Sequence, residues 1–139
     1  MRIKCIYNKG NQLPKKILEE WHQFPTSEFW IEIGSEYDVF GIYQKGNIIC
    51  YLIDSFDQGK PDWFVAELFE IIDHSIPLDW KVNYFLEEET GAKLIIGFPK
   101  LTENQSFLYK LEDREINESY EFRKYLAEYR NRIREQNMD

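Results

Sequence analysis

Tyr37-Asp38-Val39-Phe40-Gly41-Ile42-Tyr43, the turn Lys45-Gly46-Asn47 and the return Ile48-Ile49-Cys50-Tyr51-Leu52-Ile53 are the residues on which the fold turns. Both runs are rich in β-branched and aromatic side chains, and Gly-Asn between them is turn chemistry, so they predict an antiparallel hairpin. Upstream, Ile31-Glu32-Ile33 leads into Gly34-Ser35 and reads as a further short strand. Downstream, the polar residues 54–62, with Gly59 and Pro61, read as an exposed loop before Trp63-Phe64-Val65. Ala66-Glu67-Leu68 suits one tight helical turn ahead of Phe69-Glu70-Ile71-Ile72-Asp73. Short strands that curl on themselves over residues 29–73 suit a small barrel or a curled antiparallel sheet, because closure hides strand edges.

Outside this stretch, Arg2-Ile3-Lys4-Cys5-Ile6-Tyr7 alternates polar and apolar residues and predicts a first strand ending near Asn8. Leu13, Ile17, Leu18 and Trp21 fall at helical offsets, with Pro14 acceptable in a first turn. Trp80-Lys81-Val82-Asn83-Tyr84-Phe85 and Lys93-Leu94-Ile95-Ile96-Gly97-Phe98 read as two strands around an acidic turn, and Phe107-Leu108-Tyr109 as another short strand. The period then changes. Phe122, Tyr125, Leu126, Tyr129 and Ile133 recur at three- and four-residue intervals and predict an amphipathic helix over 118–136, capped by Asn117 or Ser119. The expected architecture is a single α+β domain over residues 1–139, mostly β, with that helix at its C-terminal end.

The 139 residues carry 17 Lys+Arg against 25 Asp+Glu, a formal charge of −8. Fourteen of the acids and only three of the bases fall between residues 28 and 90, so the middle of the chain is its acidic pole. Such a surface repels phosphate backbones and anionic headgroups and attracts a cationic partner, arguing against direct nucleic-acid binding. The longest apolar run is Ile48 to Ile53, far short of the roughly 18 residues of a membrane helix. The N-terminal residues offer no hydrophobic stretch of secretory length, which sets the expectation of a cytoplasmic protein with reduced thiols. Four Trp, nine Tyr and ten Phe are more rings than a small core hides, and those near acidic loops suit an Arg/Lys-rich partner through cation–π contact.

Chemistry is thinly signposted. Cys5, His22, Cys50 and His74 lack metal-ligand spacing, and both histidines, beside large apolar residues, read as partly buried structural groups. The loop at Asp54-Ser55-Phe56-Asp57 lacks the alternating oxygen ligands of a calcium loop, and Ala66 stands where its final Glu belongs. No nucleophile elbow, P-loop or dinucleotide fingerprint occurs. The expectation is a non-enzymatic protein without cofactor or metal. A hydrolase or small-molecule site would announce itself as a pocket holding His22 or His74 beside a carboxylate.

Gly34-Ser35-Glu36-Tyr37-Asp38-Val39, the returning Cys50 to Asp54, and Val65-Ala66-Glu67-Leu68-Phe69 resemble the G-x-x-Y-x-V and P-A-x-L-F pattern of small SH3-like bacterial proteins, with Val65 where the pattern often has Pro. Some of these resemble immunity proteins of contact-dependent growth inhibition and other polymorphic toxin systems. The resemblance covers about a third of the chain. It implies an SH3-like β segment and a protein that binds a basic cognate toxin domain, often a nuclease, and blocks it. The expected contact residues are Asp54, Asp57, Asp62 and Trp63, with Glu87, Glu88 and Glu89 as a second group. An SH3-like adaptor for another protein partner is the neighbouring reading.

Overall fold

The hairpin forms as the sequence predicts: β3 (Gly41–Lys45) and β4 (Ile48–Ile53) pair antiparallel through a two-residue turn in which Gly46 has φ +59°, in the left-handed region. Glycine at the first central position suits a turn whose twist matches the strands it joins. In the computed structural model, which describes residues 1–87 and 91–137, this hairpin is the middle of a five-stranded antiparallel sheet ordered β5-β4-β3-β8-β7. Here β5 is Asp62–Val65, β7 is Lys81–Glu87 and β8 is Gly91–Gly97. A second, three-stranded antiparallel sheet is ordered β2-β1-β6, with β1 Arg2–Cys5, β2 Glu36–Asp38 and β6 Phe69–Asp73. Residues 29–73 therefore take the central strand of the smaller sheet from outside themselves.

One stretch of chain belongs to both sheets. Between β2 and β3, the Val39 N–H donates to Met1 O at 3.1 Å in the smaller sheet, and the next N–H, of Phe40, donates to Leu52 O at 2.9 Å in the larger. The second passage between sheets runs from β5 through a 3-10 turn at Ala66–Leu68 into β6. The sheets curl around a shared core, as expected of an α+β chain of mostly strands, but no barrel closes among the described residues. The edge of β3 away from β4 is taken by β8.

Two cores lie on opposite sides of this curl. Ile3, Cys5, Leu18, Val39, Cys50, Ile53, Val65 and Leu68 fill one; Phe40, Leu52, Ile95, Phe98, Phe107, Leu111, Phe122 and Leu126 fill the other. Neighbours Val39 and Phe40, and again Leu52 and Ile53, go to different cores because successive strand side chains point to opposite faces. This is why residues 48–53 are almost uninterruptedly apolar: both faces of β4 are covered.

Among the described residues four α-helices complete the fold: α1 (Lys15–Glu20), α2 (Pro99–Glu103), α3 (Gln105–Glu112) and α4 (Ile116–Asn137). Gly41 and Gly97 pair across β3 and β8 beneath α2, and a Cβ on either would come within 2.4 and 2.7 Å of the Leu101 side chain. α4 covers the second core: the Phe40 ring stands edge-on to Phe122 at 5.3 Å and to Tyr129 at 5.6 Å, and Phe98 stacks on Tyr125 at 4.7 Å.

The structure corrects several local expectations. Phe107-Leu108-Tyr109 lies in α3, not a strand, because the Asn104 side chain caps that helix by accepting the Phe107 N–H at 2.9 Å, and Phe107, Leu108 and Leu111 then share its buried face. Three residues are too few to distinguish a period of two from one of 3.6. Ile31-Glu32-Ile33 is not a strand but runs into a turn centred on Ile33-Gly34: the Ser35 N–H donates to Glu32 O, and Ile33 is exposed. α4 begins before both proposed caps, and Ser119 is buried within its first turn. His22 and His74 are exposed rather than partly buried. Cys5 and Cys50 are buried free thiols. No helix among the described residues is long and apolar enough to cross a membrane.

Phe122 is fully buried where α4 meets the larger sheet. Phe122→Ala is expected to remove about 3–5 kcal/mol of unfolding free energy, a large fraction of the stability of a domain this size, measured by urea denaturation.

Candidate protein-binding surface

The candidate surface is built from the two longest loops of the strand framework. The first joins β1 to β2 and is zipped along its length. Gly10 N–H donates to Ser27 O, Phe29 N–H to Asn8 O, and the Asn8 side chain to Ile31 O. Farther on, Gly34 N–H donates to Cys5 O, and the Tyr37 hydroxyl accepts the Glu32 N–H at 2.9 Å. Phe29 turns inward to stack on Trp21 at 4.9 Å, and Ile31 is buried. Trp30 between them is driven outward and is 75% exposed. An indole held this open by an ordered backbone is a large apolar surface available to a partner.

The second loop, residues 54–61, is organised by Asp54. Its carboxylate accepts the N–H groups of Gln58 at 3.1 Å and Gly59 at 2.8 Å, while its carbonyl accepts that of Asp57. Asp57 is held at φ +54°, a conformation that Asp tolerates better than most residues. Phe56 emerges from this loop 56% exposed.

Trp30 and Phe56 line one groove of about 390 Å³, together with Glu28, Glu32 and Tyr37. A second groove of about 360 Å³ shares Tyr37 and Ser55 with it and continues past Glu36, Asp38, Asp54 and Asp57. Six carboxylates therefore border the joint concavity against three basic residues, Lys9, Arg2 and Arg130. Two of those bases are engaged internally. Arg2 Nη1 lies 3.0 Å from Asp38, which also accepts from the Tyr129 hydroxyl, and Arg130 pairs with Asp57. Burial and the Asp38 carboxylate together push the Tyr129 phenol far up. At the Trp30 end, Glu28 and Glu32 have no ion-pair partner among the described residues, and Lys9 is the one base lining that groove.

The expected contact residues thus divide. Asp54 and Asp57 border the groove, the first organising its loop and the second bound to α4. Asp62 is tied to Arg114 at 3.0 Å, and Trp63 is half-buried, edge-on to Tyr43 at 4.7 Å; neither lines the groove. Glu88 and Glu89 lie outside the described residues, and Glu87 ends β7. Trp30, Phe56, Glu28 and Glu32 were missed. Their signal was present: alternation through Phe29-Trp30-Ile31 puts Trp30 opposite two core residues, and Phe56 is a lone ring among loop carboxylates.

A third concavity, of about 420 Å³, gathers His22, Tyr43, Lys93, Tyr109, Glu20 and Glu112. Lys93 is only 7% exposed, with its Nζ 5.1 Å from the Tyr43 ring centre and 5.0 Å from that of Tyr109. Burial pushes the neighbouring Cys50 thiol up to about 12, raises the Tyr43 phenol and raises the Glu112 carboxyl. A thiol so poor in thiolate is a weak nucleophile at neutral pH. Among the described residues no group of three or more His, Cys, Asp or Glu is gathered as metal ligands.

The raised Cys50 thiol makes stability pH-dependent. Below the ordinary thiol value of 9.0 both folded and unfolded states keep the proton; above it the unfolded chain releases the proton first, so stability falls with rising pH until about 12. Native protein at pH 8 is expected to leave Cys50 unlabelled by iodoacetamide. Denaturant midpoints are expected to decline from pH 9 upward, less steeply in Cys50→Ala.

No family model matches this sequence, and no curated protein and no solved structure shows significant similarity to it.

Proposed function

We propose that this protein is a non-enzymatic, cytoplasmic immunity protein that binds a cognate toxin domain, of the nuclease kind, through an acidic, aromatic surface. The observation that carries the reading is the groove in which Trp30 and Phe56 stand exposed among carboxylates. A cleft built to receive a polyanion is lined with Lys and Arg. An acidic face is steered toward such a cleft, and exposed rings ringed by carboxylates hold guanidinium and ammonium groups through cation–π contact and ion pairing. Contact is centred on Trp30, Phe56, Glu28 and Glu32, with Asp54 and Asp57 on the same rim. Asp62, Trp63 and residues 87–89 are the outer candidates.

Co-expression with the toxin encoded beside its gene is expected to rescue growth. Trp30→Ala should weaken the purified complex by about 30-fold or more, as loss of a central aromatic anchor does. Glu28→Lys with Glu32→Lys should slow association and flatten its salt dependence. Full-strength binding by a Trp30→Ala/Phe56→Ala double variant would remove this groove from the account, and failure to protect would remove the immunity reading.

The His22–Lys93–Glu112 concavity favours a second reading, a small-molecule or hydrolase site, because it puts a histidine beside carboxylates in a pocket. Under it, Lys93→Met would abolish activity while leaving toxin binding intact. Under the immunity reading the same variant changes only stability.

A further inference from the structure

β7 is the outermost strand of the larger sheet, and among the described residues its ladder partner is β8 alone. Edge strands of soluble proteins are usually short, charged along their length or interrupted by proline, because an open ladder invites pairing with another chain. This one is 7 residues long, lacks proline and carries formal charge only at its ends, Lys81 and Glu87. Val82, Tyr84 and Leu86 share one face and are 64%, 62% and 75% exposed. The other face looks inward: Phe85 packs against the helical core, and the Asn83 side-chain amide donates to Thr102 O at 2.7 Å.

The backbone shows which groups the edge offers. The Tyr84 N–H is met by the Asn83 side-chain oxygen at 2.8 Å, so it points away from β8. By the alternation of an antiparallel ladder, the outward-facing N–H and C=O groups are those of Val82, Tyr84 and Leu86.

We propose that this edge pairs antiparallel with β7 of a second copy of the chain, about a two-fold axis at Tyr84. The strand is self-complementary about that residue. Tyr84 meets Tyr84 of the copy, Val82 meets Leu86, and Lys81 meets Glu87, opposite formal charges at both ends. The outward backbone groups coincide as hydrogen-bonded pairs, the exposed apolar side chains form one cross-strand patch, and the same surface serves both copies, as a closed dimer requires. Only an axis at Tyr84 sets the strand's two terminal charges, Lys81 and Glu87, opposite each other; moving it one residue, to Asn83, sets Lys81 against Phe85 instead. The Asn83 side-chain oxygen is an internal competitor for the Tyr84 N–H and gives way to the Tyr84 carbonyl of the copy. The pairing uses none of the residues assigned to the Trp30 groove and stands or falls separately from the toxin-binding reading.

Sedimentation of the full chain over a concentration series tests the proposal, with far-UV circular dichroism showing that each variant is folded. Wild type is expected to show a reversible monomer–dimer equilibrium. Tyr84→Lys, which puts two ammonium groups at the axis, should weaken it by about tenfold or more. Lys81→Glu should also weaken it, and adding Glu87→Lys to Lys81→Glu should restore it. Asn83→Ala should tighten it. A wild-type chain that stays monomeric at roughly 0.1 mM, a dimer indifferent to Tyr84→Lys, or a charge swap that fails to rescue would each overturn the proposal.

Discussion

Everything in this fold depends on the passage of one strand from one sheet to the other at Val39 and Phe40. Their backbone N–H groups bond to different sheets, Val39 to Met1 and Phe40 to Leu52, and their side chains enter different cores. Were the register to slip by one residue, Val39 and Phe40 would exchange cores and every alternating residue of β3 would change faces. The helices read that choice out. Phe40 is the ring against which Phe122, Tyr125 and Tyr129 of α4 pack, so the C-terminal helix docks only if the strand turns this corner in register.

The same corner explains the electrostatics of the surface. Asp38 precedes it, and the Arg2 and Tyr129 groups that converge there come from opposite ends of the chain. Ion pairs at this level of exposure add little stability one by one, about 0–1 kcal/mol each. Their larger effect is to consume charge. Asp38, Asp57 and Asp62 are each bound to an arginine, and Asp54 is spent on its own loop. Of the remaining carboxylates bordering the groove, Glu28 and Glu32 have no ion-pair partner among the described residues, and they lie beside Trp30, where an ordered loop also exposes an indole. The two sheets differ at their edges as well. Glu70 and Asp73 charge β6 of the smaller sheet, whereas β7 of the larger presents apolar side chains between two terminal charges.

Amino-acid order alone determined the elements whose period is long or whose chemistry is local. These are the β3–β4 hairpin through Gly46, the strands on either side of residues 88–90, the single helical turn at Ala66–Leu68, and the long α4 with its recurring Phe122, Tyr125, Leu126 and Tyr129. It also determined that the middle of the chain is acidic and that rings would be left outside the core. Only the tertiary structure decided which rings and which acids. Phe107-Leu108-Tyr109 became helical because Asn104 capped it and a core face awaited Phe107, Leu108 and Leu111. Trp63 turned toward Tyr43 while Trp30 was pushed into solvent by its inward-facing neighbours Phe29 and Ile31. Asp57 and Asp62 found Arg130 and Arg114 more than fifty residues away. Periodicity and turn preference act between residues a few positions apart and survive in the sequence. Exposure and ion pairing are settled between elements distant in the chain, by whichever surfaces the packing brings together.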